Sequence, residues 1–143
     1  MANLRHISGL NQVLANTKKA TALIRAGERR GLLRAGFFLQ RKSQDIVPWD
    51  EGNLHSTAFT RPEMTALGDS VIVGYTAEYA VYVHEDMEKA HGEAYNKKYA
   101  MKIVAGIKGY HTRGENQQAK FLEKPARENR TEMLAMIAKE TAR

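Results

Sequence analysis

The densest group of residues able to do chemistry lies between Glu78 and His111, where His84, Glu85, Asp86, Glu88 and His91 fall close together in the chain. A metal centre needs three or four such ligands converging on one point. The spacing does not follow H-E-x-x-H, which sets two histidines on one helix face. The carboxylates Glu78, Glu85, Asp86 and Glu88 also suit paired acid–base work, in which one group donates a proton and the other accepts. No nucleophile or oxyanion donor accompanies them in the sequence, and a catalytic site needs those roles in one place. The plainer reading makes His84 a half-buried packing residue and the acids a solvated face or a subunit contact. There is no cysteine. That excludes disulfides, thiolate nucleophiles, cysteine zinc sites and iron–sulfur clusters. Neither G-x-G-x-x-G nor G-x-x-x-x-G-K-[ST] occurs, so no glycine-rich phosphate cradle is present. The expectation is a protein that is not an enzyme and takes no metal or cofactor.

The second candidate chemistry is cationic. Residues 1–45 hold nine Lys/Arg against two acids, a net +7. Residues 46–90 are net −6, and residues 91–143 net +5. This basic–acidic–basic order suggests a partner of opposite charge, either nucleic acid or another copy of the chain. Arg29, Arg30 and Arg34 lie in the first basic block, and Lys97, Lys98 and Lys102 in the last. Such residues bind DNA phosphates without reading sequence, and that binding falls steeply with salt. They equally form a solvated helix surface whose long side chains cover apolar patches, or an arm that grips a neighbouring subunit.

The elements that must position these groups follow from periodicity. At 143 residues the chain is one domain, and 43% hydrophobic content is ordinary for a globular fold. Apolar or small residues at Leu10, Val13, Leu14, Ala20, Leu23, Ile24, Ala35, Phe38 and Leu39 keep a period near 3.6. They predict one long helix, with a bend or close packing point at Gly27, Gly31 or Gly36, ending before Pro48. Residues 47–53 are turn chemistry: Pro48 biases Val47 away from the helical region, and Gly52 accepts a positive φ. Leu54 to Arg61 suits a strand, and Val71, Val73 and Tyr75 alternate in a second, with the hairpin turn between Arg61 and Asp69. Thr76 reads as the N-cap of a short helix carrying Glu78 and Tyr79 in its first turn. Residues 87–118 form a long basic excursion, in which 101–104 suit a short strand or helical piece. Phe121, Leu122, Ala126, Met133, Leu134 and Ile137 predict a final helix with Pro125 in its first turn. The expected fold class is α+β: long N-terminal helix, small antiparallel sheet, short helix, long basic loop, C-terminal helix. The only tryptophan, Trp49, is expected to plug the end of the first helix against the hairpin. No apolar run approaches the roughly 20 residues of a membrane span. Met1 to Arg5 lead into no apolar run, so a secretory leader is not expected.

Three ordered segments carry a resemblance. Pro48 and Trp49 with Gly52, Asn53, Leu54 and Ser56 follow the long helix. Gly74 with Tyr79, Ala80, Tyr82 and His84 forms the second. Phe121 and Leu122 with Ala126 open the last helix. In that order the chain, from about residue 10 to 140, resembles a family of tailed-bacteriophage structural proteins: neck, tail-completion or tail-component, and minor capsid proteins. Glu51 stands where that signature carries threonine, and 87–118 is longer and more basic.

The resemblance implies a virion structural protein at the head–tail junction, assembled in the host cytoplasm. It implies a ring, expected as a hexamer, between a portal-side connector or stopper protein and a tail tube or terminator protein, with double-stranded DNA passing through. The motif residues would be a scaffold: Gly52 for the turn, Tyr79, Ala80 and Val83 packing the short helix, Phe121 and Leu122 anchoring the last. The alternative is a small sequence-independent DNA-binding protein using the basic N-terminal helix.

Overall fold

A computed structural model describes residues 9–48, 52–65, 68–85 and 118–142. Trp49, the basic excursion with Lys97, Lys98 and Lys102, and Asp86, Glu88, His91 and His111 lie outside the described residues. The fold class is α+β.

Helix α1, Leu10–Ile46, runs 37 residues without interruption, about 55 Å at 1.5 Å per residue. It stops where expected. Val47 takes an extended φ of −62° and ψ of 136°, as a residue before proline should. Its N–H still reaches back to the Ser43 carbonyl at 2.9 Å. Gly27, Gly31 and Gly36 do not bend α1. All three are close packing points instead.

The first strand departs from the sequence expectation. Residues Asn53–Ser56 form a helical turn, α2, and β1 begins only at Ala58. Gly52 holds φ at +79° and starts the turn. The Ser56 hydroxyl then donates to the Asn53 carbonyl, and the Thr57 hydroxyl to the Leu54 carbonyl, each at 2.8 Å. These local bonds give the backbone an alternative to a strand ladder. Strands β1, Ala58–Thr65, and β2, Gly68–Tyr75, pair antiparallel from Ala58 opposite Tyr75 to Thr65 opposite Gly68. The hairpin is therefore tighter than the expected Arg61–Asp69 turn.

Helix α3 is Ala80–Glu85. Thr76 does not cap it. Its N–H bonds to the Thr57 carbonyl at 3.1 Å and extends the base of the hairpin. Tyr79 does not pack the short helix on the sheet but stays 41% exposed, whereas Ala80 is buried. The last helix is two. α4, Glu123–Glu128, ends at Asn129, and α5, Arg130–Thr141, follows. The Asn129 amide side chain and N–H both donate to the Pro125 carbonyl, at 2.8 and 3.0 Å, and mark the break. Pro125 falls in the first turn of α4, as expected. Among the described residues no helix is long and apolar enough to cross a membrane.

β2 lies along α1. Asp69 meets Arg29 at one end, and the Tyr75 hydroxyl meets the Ser43 hydroxyl at 2.7 Å at the other. Fourteen helical residues rise about 21 Å, and six strand residues span about 20 Å, so the two elements stay in step. α5 packs antiparallel on the neighbouring face of α1, with Gly31 against Ile137 and Gly27 against Glu140 and Thr141. The core sits at the C-terminal end of α1, where Val47, Leu54, Ala80 and Phe121 converge.

Candidate assembly surface

Motif residues from all three segments meet in that core. Phe121 is 1% exposed and stands edge-on to both Tyr75 and His84, with ring centroids 5.1 and 4.9 Å away. Leu54 and Ala80 are buried against it, and Leu122 and Val83 pack at the margin. Pro48 is half-buried beside the buried Val47. Gly74 lies under the Phe59 ring, where a Cβ would come within 3.1 Å of two ring carbons. His84 is thus a packing histidine. Its Nδ1 is 2.8 Å from Glu85 Oε1, and the Glu123 N–H donates to its Nε2 at 3.4 Å.

Lys120 tightens the same corner. It takes a left-handed φ of 55°, uncommon for a residue with a Cβ. Its N–H donates to the His84 carbonyl at 2.8 Å, and its ammonium pairs with Glu85 and Glu123. The hydrogen bond from Lys120, then that from His84, holds the Glu85 carboxyl below its ordinary range. The Glu85 bond raises Lys120 in turn. Nothing in the sequence spacing pointed to this pair, which lies 35 residues apart.

The three arginines singled out in the N-terminal block each meet an acid of the same chain. Arg29 Nε is 2.6 Å from Asp69, which raises the guanidinium further. Arg34 is 2.6 Å and Arg30 3.6 Å from the two oxygens of Glu140. Glu140 is 3% exposed. It was not singled out from the sequence, where a lone glutamate near a C-terminus carries no signal. The i, i+4 pair of Gly27 and Gly31 was the available clue that another backbone lies there.

Beyond this scaffold, the N-terminal part of α1 touches nothing. Every residue from Leu10 to Ala26 is exposed, a length of about 25 Å. It presents Leu10, Val13, Leu14, Leu23 and Ile24 to solvent, with Val13 61% and Leu23 64% exposed. The same stretch holds Lys18, Lys19 and Arg25 and no acid. A second apolar surface is a groove of about 230 Å³ between α1, β2 and α5. Leu32, Leu39, Val71, Val73, Met133 and Ile137 line it, and Leu134 at its edge is 55% exposed. Single exposed apolar residues are ordinary, whereas runs of them mark contact surfaces. Among the described residues no group of three or more His, Asp or Glu converges as a metal site.

Compared with protein families, curated proteins and solved structures, the chain matches none.

Proposed function

We propose that the protein is a subunit of a ring at the head–tail junction of a tailed bacteriophage, in the neck or tail-completion layer. The observation that carries this reading is the shape of the subunit. Its core lies at one end, and about 25 Å of helix with an apolar stripe stands free of it. A chain that leaves so much of its apolar surface unburied gains stability and definition from neighbours. The sequence resemblance supplies the setting, and its motif residues support it by meeting as scaffold around Phe121 rather than as a reactive site. A closed ring uses two different surfaces per subunit. A basic free helix and an acidic middle segment suit that geometry, with electrostatics setting encounter and register. The partners are further copies, the portal-side connector or stopper and the tail tube or terminator, with DNA in the channel.

One observation favours the DNA-binding alternative: Lys18, Lys19 and Arg25 stand on exposed helix with no acid in the stretch. Ion pairing of Arg29, Arg30 and Arg34 within the chain favours it less. The deciding experiment is electron microscopy of lysates from a phage in which this gene is interrupted. DNA-filled heads beside separate, finished tails are expected. Intact infectious particles overturn the junction reading, and salt-sensitive duplex binding by the purified protein would then put the alternative first.

A further inference from the structure

The two apolar surfaces are matched in size. The groove runs along α1 from Leu32 to Leu39 and along α5 from Arg130 to Ile137. Seven residues of helix rise about 10 Å. One heptad of another helix fills that length, and the free end of α1 begins with one: Leu10, Val13, Leu14 and Thr17 share a face by their i, i+3, i+4, i+7 spacing. The groove is walled by a strand on one side and a helix on the other, the arrangement into which an amphipathic helix lays its apolar face.

The charges are matched as well. The free stretch of α1 carries Lys18, Lys19 and Arg25 and no acid. The strand side of the groove belongs to residues 58–85, where Glu63, Asp69, Glu78 and Glu85 outnumber Arg61. The helix cannot serve its own groove. Val13 lies 22 residues before Ala35 on one continuous helix, about 33 Å away along the axis.

We infer that the Leu10–Val13–Leu14 stripe at the free end of α1 seats in the α1–β2–α5 groove of a second copy of the chain. The contact joins two different surfaces, so each subunit gives a helix to one neighbour and takes one from the other. Repeated, it closes into a ring or runs on as a filament. This deepens the ring reading and rests on it for the choice of a second copy as occupant.

The absence of native cysteine makes a direct test available. In the full-length chain, Val13→Cys and Leu134→Cys are introduced together, at two exposed positions that cannot bridge within one molecule, since a disulfide needs Cα atoms within about 7 Å. Mild oxidation is expected to give a ladder of dimers, trimers and higher species on a non-reducing gel, collapsed by reductant, with each single variant uncrosslinked. Without oxidation, Leu134→Glu is expected to weaken self-association at least tenfold. Dimers formed equally well by Val13→Cys alone would overturn the groove contact in favour of helix-to-helix pairing. Closed rings seen by native mass spectrometry, with no ladder on oxidation, would overturn the contact and leave the ring reading standing. Monomers under all conditions, with no ladder, would overturn both.

Discussion

At position 140 a nearly buried carboxylate faces two half-exposed guanidinium groups, Arg34 at 2.6 Å and Arg30 at 3.6 Å. Replacing it with a neutral isostere keeps the shape and removes the charge assistance from those bonds. Glu140→Gln is therefore expected to lower unfolding stability by about 2 kcal/mol, the scale of a hydrogen bond to a charged group, read from urea midpoints. Tyr75 gives a pH prediction of opposite character. Burial raises its pKa, and the Ser43 hydrogen bond only partly offsets this. Above about pH 10 the unfolded chain releases the tyrosine proton while the folded chain keeps it. The stability present below that pH is thus lost as pH rises through the folded value. Tyr75→Phe is expected to cost about 1 kcal/mol at neutral pH through the lost bond to Ser43, yet to flatten the alkaline fall. Glu85 acts at the other end of the scale. Its pKa is depressed by Lys120 and His84, so its contribution is present above the ordinary carboxylate range and disappears as pH falls through the folded value. Glu85→Gln should remove that part of the acid slope, measured by unfolding midpoints between about pH 5 and about pH 3.

Between elements, the glycines of α1 decide how closely its partners approach. An added Cβ at Gly31 would lie 2.7 Å from the Ile137 Cα, so backbone has to move. Alanine gains about 1 kcal/mol of helix propensity there, but overpacking costs about 1–3 kcal/mol, and the obstruction is main chain. Gly31→Ala is expected to destabilise, and Ile137→Ala should not rescue it. At Gly36 the obstacles are side-chain methyls, Val71 Cγ1 at 2.5 Å and Thr60 Cγ2 at 2.8 Å. Gly36→Ala should destabilise too, but Val71→Ala in the same chain should recover part of the loss. Equal rescue at both sites would contradict this account of the seam. The sequence showed the glycines and their helical spacing, and a close packing point was one of two readings open for them. It did not show that two different partners, α5 and the hairpin, sit on adjacent faces.

For the molecule as a whole, stability and assembly reside in different parts of the same helix. The core around Phe121 holds the fold, and the Leu10–Ala26 stretch lies outside it. Leu14→Lys or Ile24→Lys is therefore expected to leave the unfolding free energy within about 0.5 kcal/mol, as for a surface change. In light scattering and native mass spectrometry the same variants should shift the protein towards monomer. A large loss of stability with the oligomer intact would show that the stretch belongs to the fold instead.

The sequence by itself determined what depends on near neighbours. The period of apolar residues made α1 legible over its whole length, Pro48 marked its end, Gly52 the turn after it, and alternation in Val71, Val73 and Tyr75 the second strand. These signals act within a few residues, through dihedral limits and side-chain direction. Where local alternatives competed, as with the serine and threonine bonds that turned 53–56 into a helix, the local reading failed even at short range. Only the tertiary structure decided which part of α1 is covered and which is free. Apolar periodicity shows that a face exists, but not what meets it. That answer depended on contacts such as Arg34 with Glu140, 106 residues apart, and on backbones close enough to exclude a single Cβ.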